Sequence, residues 1–448
     1  MHPTTASAAA ERHARGQLDD IGIFSLISDP CFADTFAEHV PSYRNRLYTP
    51  ARTLAMFVSQ VLSDDRSCQR VVNEHVARCA ARDELVPSSS TGAYSDARQR
   101  LPTRLVRALG ERVAHVARHR CGALDDTAPV LLIDGTGVSM PDTADNQAEF
   151  PQSASQAPGC GFPQARMTAL VCATSGAVVD SVVGAARGKG SGESAALRAM
   201  TGDAAPGSVI LGDAIYEHYP TWATLARAGC FGVFELNGSR ALPHTIPKRI
   251  TIERGKRPEW MTRQEHAALP TSIKLRVVRS RREGCADKIL ITSLLDTGTY
   301  PARQIRALYD RRWDVELDFR SFKDTLGAGV LGCCSPEMVR KELAVHLLGY
   351  NLIRLLMCEA AAAAELEPRQ MSFRHAQQLW GAWVRQGAPL DERGWQLLLS
   401  RIAQRRVRNR PGRREPRAIK RRPKPRSLLN LPRRWARTVC HRYERKGR

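Results

Sequence analysis

The chain has 448 residues, enough to bury a large core and to hold more than one domain. Apolar residues make up 43% and charged residues 25%, which excludes a disordered or fibrous chain. The formal net charge of +22 is far from ordinary and calls for an anionic partner, most often nucleic acid. No apolar run near the ~18 residues of a membrane span stands out, and the N-terminus lacks the apolar stretch of a secretory signal. Twelve cysteines include no CxxC pair, and only Cys333 and Cys334 are neighbours. They fit neither a disulfide framework nor a zinc ribbon, and read as reduced residues of a cytoplasmic protein. His115 and His119, spaced i, i+4, read as a surface pair rather than a metal site.

Residues 1–20 read as a flexible tail. Residues 21–122 carry apolar residues at helical spacing: Ala51 to Leu62, Ser67 to Ala81, and Thr103 to Arg120. Between the last two, Ser90 or Thr91 offers a cap for a short helix bearing Tyr94, Arg98 and Arg100. Helix, serine-rich turn and short basic helix suit a DNA-binding helix-turn-helix, and suit a plain helical bundle as well.

The texture changes at residue 123. Val130 to Ile133 is a β-type run, VLLI, that ends on Asp134-Gly-Thr. A loop-like stretch follows. Ala165 to Cys172 and Ala177 to Val183 read as strands joined at Ser175-Gly176. RGKGSG lacks the spacing of a phosphate loop and reads as a plain loop before a helix from Glu193 to Met200. Another short run, SVIL, ends on Gly212-Asp213, with a helix from Tyr219 to Arg227 after it. Residues 230–298 have β texture throughout and form an insertion between two parts of an α/β core, residues 123–229 and 299–400.

Pro301 to Leu326 reads as one helix, started by Pro301 and stopped by Gly327. On a helical wheel Tyr309, Arg312, Trp313, Glu316, Arg320 and Lys323 fall within one stripe. Leu317 borders the stripe on one side, Leu308 and Phe319 on the other. A second polar set, Asp310, Arg311, Asp314, Asp318 and Ser321, sits opposite. An ordinary amphipathic helix has one polar face. Here Glu316 points into a site beside basic and aromatic neighbours, unless the helix is simply a surface one rich in ion pairs. A long apolar helix, Met338 to Glu365, then reads as a core spine. The tail, residues 401–448, holds 20 Lys or Arg against two Glu and promises little independent fold.

Asp134 and Asp213 follow short apolar strands, and Glu316 lies on the special stripe. Three carboxylates of this kind suit two Mg²⁺ ions, which prefer oxygen ligands and clamp both oxygens of a phosphoryl transfer. Asp and Glu are common, so the trio alone proves little.

The spacing Tyr309-x2-Arg312-x3-Glu316-x6-Lys323 resembles the Y-R-E-K signature of the DDE transposases of the insertion sequence 4 family. DGTGVSMPDTADNQAEFPQ, PGCGFPQARM, RGKGSGES, GDAIYEHY and SPEMVRKELAVHLLGYNLIR also resemble that family, in the same order. The likeness runs from about Ile21 to Arg437. It implies an α/β fold with a ribonuclease-H-like (retroviral integrase-like) core, a helical N-terminal DNA-binding domain, a β-rich insertion and a basic tail. It implies Asp134, Asp213 and Glu316 as catalytic ligands of Mg²⁺, or of Mn²⁺ in its place. Tyr309, Arg312 and Lys323 carry over as contacts to the element end, and Trp313 and Arg320 as contacts near the cleaved end. The partners implied are element-end and target DNA, with a homodimer in the synaptic complex, in the bacterial cytoplasm with the nucleoid. Two positions depart from the family: Ala214 where relatives often have a basic residue, and Gly332-Cys333-Cys334 where Arg-Ser is frequent.

The expected function is cut-and-paste DNA transposition: hydrolysis of one strand, then attack by the freed 3′-OH, with a hairpin at the element end. A metal-dependent nuclease on the same core is the alternative. A non-catalytic DNA-binding derivative is a third, disfavoured by the intact trio. Truncation after Ser400 removes a net +18. It should weaken DNA binding on all sequences alike and flatten the salt dependence of log K, because fewer counterions are released. An unchanged salt slope would mean that the tail does not touch DNA.

Overall fold

The computed structural model describes residues 30–40, 42–43, 47–122, 129–187, 192–238, 247–280, 287–388, 390–407, 432 and 435. The N-terminal tail, most of RGKGSG and nearly all of the basic tail lie outside these residues. Helices α1 (Pro30–His39), α2 (Pro50–Val61), α3 (Cys68–Ala81), α4 (Gly92–Arg100) and α5 (Thr103–Gly122) come first. Thr49 and Ser67 cap α2 and α3 by accepting the Arg52 and Arg70 amides. The short basic helix α4 turns its basic face inward. Tyr94 is fully buried and donates to Gln60 Oε1 at 2.9 Å. Arg98 is 7% exposed, with its guanidinium 4.0 Å from the Phe57 ring centroid. Of the three residues singled out on this helix, only Arg100 faces solvent.

One eight-stranded sheet follows, in the order β3-β2-β1-β4-β5-β8-β7-β6. Its strands are β1 (Val130–Ser139), β2 (Gln164–Cys172), β3 (Val178–Ala185), β4 (Val209–Gly212), β5 (Phe231–Glu235), β6 (Arg249–Glu253), β7 (Ser272–Ser280) and β8 (Lys288–Thr292). The central three, β1, β4 and β5, run parallel; the other pairings are antiparallel. The strands of the expected insertion extend this same sheet. Parallel strands are covered on both faces, which is why VLLI and VILG read as unbroken apolar runs.

One face buries Leu131, Ile133, Ile210 and Phe234 beneath α7 (Glu193–Met200) and α8 (Tyr219–Arg227). The other buries Leu132, Val209, Leu211 and Val233 in the main core. That core holds α5 and the 28-residue spine α12 (Pro336–Ala363), capped by Ser335. By length and composition α12 is apolar enough to cross a membrane, against expectation. Yet 89% of its most apolar window is buried inside the protein, so it is a core helix. The short helix α9 (Arg263–Ala267) lies between β6 and β7, and helices α13 (Phe373–Arg385) and α14 (Glu392–Gln404) close the fold. Ile402 and Ala403 on α14 are buried, and the Val407 amide donates to Gln370 O. A truncation that spares the fold therefore cuts after Val407.

Two expectations of local structure change. Strand β1 does not stop at Asp134 but runs to Ser139, because β2 pairs with it along its whole length. The stretch read as loop contains a short helix, α6 (Ala144–Glu149), capped by Thr143. Cys68, Cys79, Cys121, Cys160, Cys172, Cys230, Cys333, Cys334 and Cys358 are free thiols.

Asn351 ties the spine to both neighbours. Its Nδ2 donates to Gly110 O (3.0 Å) and Val178 O (2.9 Å), and its Oδ1 accepts from Val178 N (2.8 Å). Asn351→Ala removes the partner of the Val178 amide and carbonyl and one bond to Gly110 O, and should cost about 2–4 kcal/mol, read from denaturant unfolding. A loss below about 1 kcal/mol would mean that water replaces the amide.

Candidate active site

The register of the three parallel strands builds a row of carboxylates. Leu132 pairs with Leu211, and Leu211 with Val233. Two residues further along the chain stand Asp134 and Glu235, still in their strands, and Asp213, the first residue past the end of β4. Continued by that step, the register sets the three level, on neighbouring chains about 4.8 Å apart. Side chains alternate along a strand, so all three share the face of Leu132, Leu211 and Val233. Glu235 was not among the expected site residues. The signal was present: FGVFE ends on a carboxylate, as do VLLID and VILGD.

Each member of the row has its own surroundings. Asp134 Oδ1 accepts the Gly135 amide at 2.8 Å. Burial pushes its pKa up to about 6. The Gly135 amide and Arg312 pull it down, and the Glu193 and Asp213 carboxylates add to the rise. Asp213 Oδ1 accepts the Ile215 amide at 2.9 Å and so caps the 3-10 turn Ala214–Tyr216. Glu235 is already engaged, by Lys288 Nζ at 2.6 Å and the Tyr309 hydroxyl at 3.2 Å.

A further carboxylate comes from the start of α7. A Cβ on Gly135 would lie 2.4 Å from Glu193 Oε1, so only glycine leaves room for it. Tyr216, fully buried, donates to Glu193 Oε2 at 3.0 Å, and Arg166 Nη1 lies 3.5 Å from Oε1. Sequence reasoning placed Glu193 only as the first residue of a helix. Its approach to Gly135 depends on a contact across the sheet that no local pattern shows.

The helix expected over residues 301–326 is not one regular helix. It consists of α10 (Ala302–Asp310), a 3-10 turn Arg311–Trp313, α11 (Asp314–Arg320) and a π turn Ser321–Thr325. A 3-10 turn is tighter and a π turn wider than α, so the wheel slips in phase along the segment. Ile305, Tyr309, Val315, Phe319, Phe322 and Leu326 are buried. Leu317, expected to pack, is 45% exposed. Asp318, expected on a second polar face, is 2% exposed. Packing against two surfaces at once, β1 and the spine, decides this over a uniform period. Beyond the π turn the chain returns along β1, with the Ser139 amide donating to Gly329 O (3.1 Å) and the Leu331 amide to Ser139 O (2.8 Å).

This arrangement places the expected residues as follows. Helix α11 packs against β1 and brings the turn of Glu316 to the strand of Asp134. Glu316 is half-buried and makes no hydrogen bond or ion pair among the described residues. Arg312 is half-buried, its guanidinium carbon 5.8 Å from the Trp313 ring centroid. Trp313 is 52% exposed. Arg320 is exposed and Lys323 half-buried, neither with a carboxylate partner among the described residues. Tyr309 is 5% exposed, its hydroxyl held by Glu235 and its pKa raised by burial. The site thus pairs a carboxylate row with an adjacent basic and aromatic helix face. Oxygen-only donors of this type suit a hard divalent cation. As the side chains lie, no three His, Cys, Asp or Glu among the described residues are grouped closely enough to hold one ion.

The raised pKa of Asp134 has a consequence for stability. Unfolded, the group ionises near 3.8; folded, near 6. Between those values the folded state binds more protons, so stability falls as pH rises through the window. In metal-free buffer Asp134→Asn should therefore stabilise at pH 7.5 and by only about a third as much at pH 4.5. The gain is on the order of 1–2 kcal/mol after discounting for partial exposure. An equal change in melting temperature at both pH values would mean that the buried charge is not the cause.

The model of the transposase DDE domain family matches residues 125–352, which include Asp134, Asp213 and Glu316. The chain is 26% identical over 301 residues to the transposase InsG for insertion sequence element IS4 of Escherichia coli (strain K12). That match covers 64% of this chain and 66% of the relative, just under two thirds of its length. Among solved structures, a piggyBac transposase synaptic complex with hairpin DNA matches with a TM-score of 0.39 at 10% identity. The match covers 88% of this chain and 86% of that one. On the family match, which spans half of its length, the chain belongs to the transposase DDE domain family.

Proposed function

We propose that the chain is a transposase that cuts DNA at the ends of an insertion sequence and joins them to target DNA. One observation carries this reading: Asp134 on β1 and Asp213, the first residue past β4, continue the register of two adjacent parallel strands, on the face covered by the helix that bears Glu316. The central β1-β4-β5 sheet with flanking helices serves as a ribonuclease-H-like core. Asp134 and Asp213 are the ligands of a divalent cation, Mg²⁺ by the hardness of the donors, and Glu316 completes the set when DNA closes the site. Such an ion, when bound, neutralises charge on the attacked phosphate and on the leaving oxygen.

The protein's own residues do the rest. Arg312 and Lys323 hold phosphates of the element end, and Arg320 a phosphate nearer the cut. Trp313, exposed beside them, offers a ring on which a base can stack. Tyr309 stands behind this face, fixed by Glu235. The positive field of Arg312 and Lys323 draws the anionic strand to an acidic row that would otherwise repel it. Element ends and target DNA are the partners, a homodimer brings two ends together, and the bacterial cytoplasm is the place of action.

Asp134→Ala, Asp213→Ala and Glu316→Ala should each abolish cleavage of an element-end duplex, while end binding survives. Lys323→Ala and Arg312→Ala should lower both end affinity and cleavage with little change in melting temperature, since an exposed ion pair is worth only about 0.3–0.5 kcal/mol. Joining should be assayed separately with pre-cut ends. Cleavage without joining would leave a nuclease, and end binding without either would leave a DNA-binding protein. Near-normal cleavage by any one carboxylate variant would remove that residue from the site.

A further inference from the structure

Asp318 takes no part in the chemistry above, yet two arginines and a tyrosine hold its carboxylate in the interior. It is 2% exposed. Arg354 Nη2 donates to its Oδ1 at 2.6 Å. Arg369 donates from Nη1 to Oδ1 at 3.1 Å and from Nη2 to Oδ2 at 2.9 Å. The Tyr350 hydroxyl lies 3.2 Å from Oδ1 and 3.0 Å from Gly176 O, and accepts from Arg354 Nε at 2.8 Å.

The same groups grip the turn between β2 and β3. Arg369 donates to Cys172 O at 3.1 Å and also to Ala173 O, and Arg311 Nη2 donates to Ala173 O at 2.7 Å. Gly176 in that turn has φ +74°, and a Cβ there would lie 2.9 Å from the Arg354 guanidinium carbon. One network thus joins α11, the spine α12, the 3-10 turn Pro368–Gln370 and the hairpin whose first strand pairs with β1.

Holding the helix down does not by itself require this. Burying an ion pair costs several kcal/mol per ion before the attraction repays it, and apolar residues often do as well. Apolar packing has no direction, however, whereas forked guanidinium bonds fix an angle. Residues two apart on a helix lie about 200° apart. Asp318 is therefore bound on nearly the opposite side of α11 from Glu316. A rotation of about 20° would move a side chain about 5 Å from the axis by about 2 Å, and a displacement of about 1 Å can cost about 100-fold in rate.

We propose that Asp318, held by Arg354 and Arg369, is a positioning residue that sets the rotation of α11 about its own axis and so aims Glu316 at Asp134 and Asp213. The inference rests on the reading of Glu316 as a member of the site.

Asp318→Asn keeps the shape and removes the charge, and Arg369→Lys keeps the charge and removes the fork. Both are made in the full chain, beside Glu316→Gln. Cleavage of an element-end duplex, affinity for that duplex, and affinity for Mn²⁺ alone by titration are measured on each. Both positioning variants should lose about 100-fold in cleavage rate. They should bind the duplex within about twofold of the parent, because the Arg312 and Lys323 face is intact. Half-maximal cleavage should need about tenfold more Mn²⁺. A purely structural role would lower melting temperature and leave the Mn²⁺ requirement of the surviving folded protein unchanged, and that result overturns the proposal. If Asp318→Asn does not fold, Arg369→Lys decides: normal cleavage at the parent's Mn²⁺ requirement sinks the idea. If Glu316→Gln cleaves normally, the reading of Glu316 falls instead, whatever the other two variants do.

Discussion

The backbone hydrogen-bond register of β1, β4 and β5 is the constraint on which the rest depends. Parallel pairing of Leu132 with Leu211 and of Leu211 with Val233 makes Asp134, Asp213 and Glu235 level on one face. A slip of one residue would send a whole strand's side chains to the other face. The register is held from both sides. Leu131, Ile133 and Ile210 fill one core, Leu132, Val209 and Leu211 the other. Each strand is locked by apolar side chains that have no other place to go.

A row of like charges is unfavourable in a half-buried place, and the surroundings show how it is tolerated. Asp134 leans toward its protonated form. Glu235 is paired with Lys288, which comes from β8, and with Tyr309, which comes from α10. Asp213 spends one oxygen on the cap of the following turn. Glu193 is hydrogen-bonded by buried Tyr216. The strand after the central three thus supplies the cation for the outer carboxylate, which links the extended part of the sheet to the site.

The helix over this row departs from a regular α-helix at two places, and each lies beside a functional candidate. The 3-10 turn holds Arg312 and Trp313, and the π turn holds Lys323. Wide and tight turns cost hydrogen-bond quality and persist only where packing over-determines them. Here the packing is Val315, Phe319 and Phe322 in the core on one side and the Asp318 ion-pair network on the other. The result leaves Trp313 and Arg320 outside while Tyr309 goes inside.

The sequence by itself determined the apolar runs that lead into Asp134 and Asp213, the helices Glu193–Met200 and Tyr219–Arg227, the spine, and the family, because these rest on local period and spaced motifs. It also held the mark of Glu235, which closes an apolar run as Asp134 and Asp213 do. Tertiary structure alone decided the rest. It made Asp134 an interior strand residue, because β2 pairs past it. It buried Tyr94 and Arg98, because α4 packs its polar side against α2 rather than water. It turned the helix of Glu316 out of a single phase, and it brought Glu193 to Gly135 and Asp318 to Arg354 and Arg369. These are contacts between residues far apart in the chain, and their energies of burial and pairing outweigh the few tenths of a kcal/mol per residue by which local propensity speaks.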